Sequence, residues 1–306
     1  YEKLNQLQED TIKSVEQKQR EYRKLEHDPV KMRDEGVCNL YTWAFFQPYE
    51  ADKDENAYAT SEKVVQKLQS AGSIHHQLEG LADARAGKYR FFHWPLEFPD
   101  IAQKGGFDVI IGNPPWEKIK LQEKEFFFFL YDEIANAANK SERGKLIEKL
   151  PQNNPALDKE YKEALHYSEA TGKFIRKSGR YPLTSSGDIN TYSVFAELFK
   201  RQLNPNGRSG VIVPTGIATD NTNKDFFAEL VEQNRLVSLF DFENRKALFP
   251  NVHRSYKFSL FTITGEQLPK GFKSLFAFFL SDPLELQDKK RVFSLTREDF
   301  LNINPN

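Results

Sequence analysis

The sequence contains little of several features that would assign a function class at once. Its 306 residues include one cysteine, Cys38, which excludes an internal disulfide framework and indicates a reducing compartment, the cytoplasm. No apolar run approaches the roughly 20 residues that a membrane-spanning helix needs, so no membrane partner is expected. The adjacent His75 and His76 have no second pair at ligand spacing, and we therefore predict no metal site.

The charge balance excludes less. The 43 Lys and Arg residues and 44 Asp and Glu residues give a formal net charge of -1, so bulk charge predicts no polyanion partner. A basic face can still be hidden in a balanced total, and this leaves nucleic-acid binding open.

Two further absences bear on how much of a domain is present. The pattern Gly-x-Gly occurs nowhere, whereas a nucleotide-binding α/β domain usually has a glycine-rich first turn. The chain starts at Tyr1, and its single methionine is Met32. We therefore expect this chain to be a fragment of a longer protein, and we expect the fragment to lack the glycine-rich cofactor loop.

Strand and helix patterns alternate in the second half of the chain, which predicts an α/β fold with a mainly parallel sheet. Four apolar stretches have the length of strands, and the first of them is expected in the buried middle of the sheet. A tight reversal with positive-φ residues is predicted at Asn204–Gly207, between a helix and the second strand. The four strand predictions are "FDVIIG" (107–112), "SGVIVPT" (209–215), "LVSLFDF" (236–242) and "YKFSLFTIT" (256–264).

The remaining regions are predicted to be mostly helical. Residues 1–88 form a helical arm and insertion, residues 89–265 hold the motif described next with a helical insertion at about 118–182, and residues 266–306 form a C-terminal extension. Finer predictions are a solvated helix ending near Pro29, a buried aromatic helix within 38–50, a loop at 50–62, helix at 62–86, and a strand with a proline-broken turn at 89–101.

The stretch "GNPPW" carries the most chemistry. Two prolines end the strand because neither can donate a backbone hydrogen bond. The amide oxygen of Asn113 and the carbonyl of Pro114 are two acceptors that suit the two hydrogens of an exocyclic amine. They would stabilise the positive charge that develops as this nitrogen attacks a carbon electrophile, while Trp116 offers a flat face for the attached ring. For a DNA base, this arrangement requires flipping the base out of the stack.

"GNPPW" after a strand resembles the catalytic motif of amino-group DNA methyltransferases. Together with "FFHWPLEFPD", "LNPNGRSGVIVPTG" and "LFPNVHRSYKFSLFTI", it resembles the adenine-specific, Eco57I-like methylases of restriction-modification and phage-defence systems, from about Cys38 onward. The resemblance implies a partial Rossmann-like methyltransferase sheet, S-adenosylmethionine as cofactor, double-stranded DNA as partner and adenine N6 as the methylated atom.

The resemblance also implies roles for individual residues. Asn113 and Pro114 would bind the N6 amine, Trp116 would stack on the base, and Pro115 would shape the turn and lie near the methyl donor. Phe249 is the candidate for the opposite face of the base, with core packing as the alternative. His253, Arg254 and Lys257 would contact DNA phosphate or form a solvated surface turn. Asp108 is expected to form a structural hydrogen bond, and Asp188 a helix cap or a loop contact.

The chain departs from this family in two places. The glycine-rich loop that binds S-adenosylmethionine and the acidic residue after the next strand are missing, and we expect the target-recognition region to lie outside these 306 residues. The expected partner is therefore the N-terminal cofactor-binding half of the same protein. We expect this chain alone to be deficient in cofactor binding and methylation.

Two other functions stay open at this point. A protein glutamine methyltransferase also uses an Asn-Pro-Pro-aromatic turn, although Tyr is usual there and such enzymes lack long insertions. A non-catalytic DNA-binding or scaffold module would keep the fold without the cofactor site.

Overall fold

The computed structural model describes residue 4 and residues 6–50, 54, 57–70 and 75–303. The chain divides into two compact units: residues 1–103 with 149–174, and residues 104–148 with 175–306. The first unit is helical and the second contains the sheet, so the division differs from the predicted boundaries at 88 and 265. No helix in the described part of the chain is long and apolar enough to cross a membrane.

The arm begins with helix α1 (Ile12–Glu26), which has no buried residue and confirms the predicted solvated helix. Helix α2 (Pro29–Phe46) follows at once, because Asp28 caps it by accepting hydrogen bonds from the backbone N–H groups of Val30 and Lys31. Pro29 suits the first helical turn, where its missing N–H costs nothing. It therefore starts a helix as well as marking the end of the previous one.

The core of the helical unit is built on α2. Its Leu40, Trp43 and Phe46 are buried, which confirms core packing for the aromatic stretch. Helices α3 (Ser61–Gln69) and α4 (His76–Tyr89) cover it, and a buried ion pair joins Lys67 and Glu79 at 2.8 Å. The predicted loop at 50–62 lies partly outside the described residues, and Ser61 already belongs to α3.

The predicted strand within 89–101 is wrong. Helix α4 runs to Tyr89 and ends at Arg90, whose φ of 56° is left-handed. The short helices α5 (Trp94–Glu97) and α6 (Pro99–Gln103) follow. The prolines in this stretch occupy first-turn positions of helices, where they are tolerated, instead of breaking a strand.

The sheet unit confirms the α/β class. Its six strands are β1 (Phe107–Gly112), β2 (Leu203–Pro214), β3 (Leu236–Glu243), β4 (Lys257–Thr264), β5 (Ser274–Leu280) and β6 (Phe293–Leu295), in the order β1-β2-β4-β3-β5-β6.

Five helices fill the predicted helical insertion: α7 (Glu123–Phe127), α8 (Asp132–Ala135), α9 (Lys140–Glu148), α10 (Leu150–Asn153) and α11 (Pro155–Lys177). Helices α12 (Thr191–Gln202), α13 (Gly216–Thr219), α14 (Lys224–Glu232) and α15 (Arg297–Ile303) complete the chain.

The sheet is mixed, so the prediction of a mainly parallel sheet is wrong. β1 with β2 and β3 with β5 are parallel pairs, whereas β4 lies antiparallel between β2 and β3, and β6 is antiparallel to β5. Strands β1, β2, β3 and β5 still run in one direction. Their carboxyl ends therefore share one edge of the sheet with the amino end of β4.

The predicted burial of β1 is also wrong. β1 is the first strand in the sheet order and pairs with β2 alone among the described residues. Its Val109 is 59% exposed and Ile111 is 83% exposed, whereas Ile110 on the other face packs against the core. The apolar pattern predicts the strand correctly but not its neighbours.

No reversal occurs at Asn204–Gly207. These residues are part of β2, and none of them has a positive φ. The pairing with β1 instead jumps from Phe107 opposite Leu203 to Val109 opposite Arg208, so β2 bulges there. Asn204 uses this bulge to donate a hydrogen bond from Nδ2 to Asp108 Oδ1 at 2.6 Å, which confirms a structural role for Asp108.

Candidate active site

The Asn-Pro-Pro-Trp segment directly follows β1 at the carboxyl edge of the sheet. Asn113 and Pro115 are exposed, Pro114 is buried and Trp116 is half-buried. Carboxyl ends of parallel strands are where α/β proteins bind their ligands. The motif therefore lies at the carboxyl end of its strand, as predicted, although this strand is an edge strand of the described sheet.

The first residue of α12 holds the chain just after the prolines. The Thr191 hydroxyl donates a hydrogen bond to the Pro115 carbonyl at 2.6 Å and accepts one from the Glu117 N–H at 2.9 Å. The Thr191 N–H donates to the Glu117 carbonyl at 2.9 Å. Because Pro115 also has a fixed φ, these three bonds leave the segment little freedom. These contacts therefore hold the end of the motif in a fixed conformation.

A cavity of 770 Å³ opens beside the motif. Its wall combines four parts of the sheet unit: the end of the motif, the entry to α12, the loop after β2 and the start of β4. The lining is mostly polar, with the aromatic rings on one side. The lining residues are Trp116, Lys118, Asp188, Asn190, Tyr192, Pro214, Thr215, Gly216, Thr219, Asp220, Asn221, Thr222, Ser255, Tyr256 and Lys257.

Two aromatic rings stand parallel at the cavity wall. The rings of Trp116 and Tyr256 have centroids 5.9 Å apart and planes inclined by 16°. Tyr256 is 47% exposed, and the buried indole N–H of Trp116 has no hydrogen-bond partner among the described residues. Tyr256 is not among the predicted site residues. Its position just before β4 could have revealed it, because an antiparallel strand begins at the edge where its neighbours end.

Phe249 packs into the core. It is half-buried and meets Phe258 edge to face, with centroids 5.1 Å apart. The buried Asn244 holds the backbone of Phe249 on both sides: Oδ1 accepts from its N–H at 3.0 Å, and Nδ2 donates to its carbonyl at 2.9 Å. The described residues that line the cavity do not include Phe249. Its stacking role stays a prediction.

The three basic residues proposed for phosphate contact lie on an exposed segment. Lys257 lines the cavity, and its Nζ lies 5.0 Å from the centroid of the Phe279 ring. The His253 Nδ1 is 2.7 Å from the Ser255 hydroxyl oxygen. The structure brings Trp116 and Lys257 to the cavity, while the described lining does not include Asn113, His253 or Arg254.

A hydrogen-bonded network forms the deep side of the cavity. The buried Tyr192 donates its hydroxyl to Asp220 Oδ2 at 3.3 Å, and Asn223 Nδ2 donates to the Tyr192 oxygen at 3.0 Å. Burial raises the pKa of the Tyr192 phenol, which keeps it a neutral donor. A Cβ at Gly216 would lie 2.3 Å from the Asp220 carboxylate, so any other residue at this position would force the Asp220 side chain to shift.

Two acidic residues near the cavity have structural partners. The buried Asp241 accepts hydrogen bonds from the hydroxyls of Thr215 and Ser259, which fixes the wall after β2. Asp188 lies 3.8 Å from the Lys118 ammonium, as a loop contact at the cavity. The cap of α12 is Asn190, whose side chain accepts from the Tyr192 N–H, so a capping role for Asp188 is wrong. No group of three His, Cys, Asp or Glu residues that could hold a metal occurs in the described ranges.

Residues 13–146 match the family model of the Eco57I restriction-modification methylases. This match confirms the resemblance that the motif predicts. It includes the whole Asn-Pro-Pro-Trp segment and begins earlier in the chain than Cys38. The later stretches at β2 and β4 lie outside it, so their resemblance stays a prediction. The match covers less than half of the chain, so the finding is a similarity of residues 13–146 to the restriction-modification methylases.

Several solved structures are similar at low identity. One is a type I restriction-modification methyltransferase subunit from Streptococcus thermophilus, with 13% identity and a TM-score of 0.33, covering 44% of this chain and 32% of that one. A DrdV–DNA complex has 12% identity and a TM-score of 0.32, covering 65% and 18%. A modification subunit of a putative type I restriction enzyme from Vibrio vulnificus YJ016 has 12% identity and a TM-score of 0.27, covering 78% and 60%. This chain thus spans about a third or less of the first two, and these scores carry no argument about function. No curated protein shows significant similarity to it.

Proposed function

We propose that this chain forms the base-binding side of a site-specific DNA adenine-N6 methyltransferase of the restriction-modification or phage-defence type, working in the cytoplasm. One observation carries the proposal: the Asn-Pro-Pro-Trp segment leaves Asn113 exposed at the carboxyl end of β1, and its last residue, Trp116, lines a cavity together with the parallel ring of Tyr256. The family match over residues 13–146 supports it.

The acceptors at the end of β1 suit an aromatic amine. The Asn113 amide oxygen and the Pro114 carbonyl would each accept one N–H of the adenine N6 group. Fixed acceptors of this kind stabilise the positive charge on nitrogen as it forms a bond to carbon, and they need no reorganisation during the reaction. The three hydrogen bonds around Thr191 fix the chain immediately after these acceptors, at Pro115 and Glu117.

Trp116 and Tyr256 are the rings that would hold the flipped base. Two stacking layers of about 3.4 Å each require about 7 Å between ring planes. The two centroids are 5.9 Å apart, and the separation of the nearly parallel planes cannot exceed this distance, so one ring must move when a base enters. Tyr256 is the ring that can do so, because it lies on the exposed segment before β4. Phe249 is the alternative partner, and His253, Arg254 and Lys257 would contact the flanking phosphates.

The residues of this chain do not by themselves fit S-adenosylmethionine. The turn after β1 contains two prolines, which offer no N–H to an anionic group, and the sequence has no Gly-x-Gly turn. We place the cofactor site on a segment outside this chain that would cover the exposed face of β1. The exposed Val109 and Ile111 support this placement, since such side chains usually face a covering layer.

A methyl-transfer assay tests the proposal. This chain and an upstream-extended protein would be incubated with labelled S-adenosylmethionine and unmethylated duplex DNA, and the labelled nucleoside would be identified. We expect the extended protein to give N6-methyladenine, and Tyr256→Ala to weaken transfer more than Phe249→Ala. Label on cytosine or on protein glutamine, or no transfer at all, would overturn it, and in the last case the scaffold function would replace it.

A further inference from the structure

An exposed phenylalanine stands at the carboxyl edge of the sheet in an unusual backbone conformation. Phe279 has a φ of 57° and is 68% exposed. Aromatic residues rarely adopt left-handed backbone angles, because the side chain then crowds the carbonyl oxygen. Burial of the ring does not compensate for this cost. A conformation of this kind indicates a functional demand on the side chain.

A β-bulge produces the unusual angle. β3 and β5 are paired at Phe240 with Ala277 and again at Phe242 with Leu280. One residue of β3 therefore faces two residues of β5, Phe278 and Phe279. The bulge changes the direction of the second ring: Phe278 stacks on Phe276 and lies tilted against Phe293, whereas Phe279 is exposed to solvent. Bulges are frequent next to active sites, where they redirect a side chain in this way.

Two cations contact Phe279. The Lys257 ammonium lies 5.0 Å from the ring centroid, and the Arg291 guanidinium donates to the Phe279 carbonyl at 3.0 Å. Lys257 also lines the cavity beside Tyr256, so the ring adjoins the proposed base site. Lys257 thus lies over the ring, while Arg291 lies at the backbone of the same residue and also pairs with Glu285 at 2.9 Å. An exposed aromatic ring with cations nearby is the arrangement that binds unstacked bases, because the ring stacks on the base while the cations attract the phosphates.

We propose that Phe279 stacks on an unstacked DNA base next to the flipped adenine, with Lys257 and Arg291 close to the adjoining phosphates. The proposal rests on the proposed function and adds a second base contact to it. It also explains why β5 keeps an aromatic residue where glycine would relieve the backbone.

The variant Phe279→Gly separates the strain of the left-handed backbone angle from the stacking role of the ring. The variant removes the ring and permits the left-handed angle, so the unfolding midpoint should be unchanged or higher. Affinity for a single-stranded oligonucleotide that contains 2-aminopurine should fall about 10-fold, and quenching of the 2-aminopurine should be lost. Phe279→Trp should keep both the affinity for the oligonucleotide and the quenching of 2-aminopurine. Leu284→Ala is the matched control, because Leu284 is apolar and 67% exposed, and it should bind as the wild type does.

The outcomes distinguish the two proposals. Equal binding and quenching by Phe279→Gly and the wild type would overturn the stacking role, as would an equal loss in Leu284→Ala. If the wild type methylates DNA in the upstream-extended protein while Phe279→Gly behaves normally, only this inference fails. If the wild type neither binds DNA nor methylates it, the proposed function fails first.

Discussion

β1 and β2 have nearly the same kind of sequence and very different surroundings. "FDVIIG" and "SGVIVPT" are both apolar, and both are followed or ended by proline. β2 lies between β1 and β4, and its Val211 and Val213 are 3% and 0% exposed. β1 pairs with β2 alone in the described part of the chain, and Ile111 is 83% exposed.

The comparison separates two kinds of information. An apolar run with a proline stop determines that a strand forms and where it ends, and both strands obey this rule. Burial of the strand depends on the elements that lie beside it, and the apolar run does not specify those elements. β1 has the apolar side chains of a covered strand although one of its faces is exposed, and the covering segment proposed above rests on this difference.

The largest expected effect is on stability. Val213→Ala in β2 should lower the free energy of unfolding by about 2–3 kcal/mol, because a fully buried side chain is removed and a cavity remains. Ile111→Ala in β1 should change it by less than about 0.5 kcal/mol, because the side chain is exposed. Denaturant titration of this chain measures both. Equal losses would show that β1 is as buried as β2 in solution.

A second pair of variants tests the contact between the two strands. A Cβ at Gly207 would lie 2.5 Å from the Phe107 carbonyl oxygen of β1, whereas a Cβ at Gly210 meets nothing within 4 Å. Gly207→Ala should therefore destabilise the chain by about 1–3 kcal/mol. Gly210→Ala, the matched control on the same strand, should be neutral or slightly stabilising. If thermal unfolding gives the same midpoint for both, the close approach of β1 and β2 is incorrect.

The smallest effect concerns the helix that packs against β2. Glu197 on α12 is buried and accepts hydrogen bonds from Thr184 and Leu183, and its burial raises the carboxyl pKa. The folded state then holds the proton to a higher pH than the unfolded state does. The stability of the wild type relative to Glu197→Gln should therefore fall as pH rises from the unfolded pKa, near 4.5, through the folded pKa. A difference that stays constant over this range, or that grows with pH, would contradict the shift.

Much of the fold follows from local pattern. The strands at 107–112, 236–242 and 256–264 and the helix at Tyr192–Phe199 were predictable, because their apolar period and their turn residues agree. The strand direction was not, because the antiparallel β4 inserts between β2 and β3 through contacts distant in sequence. The stretch 89–101 was misassigned because proline both ends strands and begins helices.

The candidate site was predictable where it is contiguous. Asn113 to Trp116 form one segment, so a motif is enough to find them. Tyr256 joins Trp116 from 140 residues along the chain, and only the position of β4 in the sheet brings the two rings together. The network of Tyr192, Asp220 and Asn223 was missed for the same reason, since each of these residues is ordinary in its own stretch.

In the proposed function, Asn113 accepts a hydrogen bond from the amine that is methylated. Single-turnover methyl transfer by the upstream-extended protein would compare Asn113→Ala with Asn113→Asp, which keeps an acceptor oxygen. We predict a rate loss of about 100-fold or more for Asn113→Ala, a smaller loss for Asn113→Asp, and unchanged unfolding for both, because the side chain is exposed. Transfer by Asn113→Ala at the wild-type rate would contradict the claim.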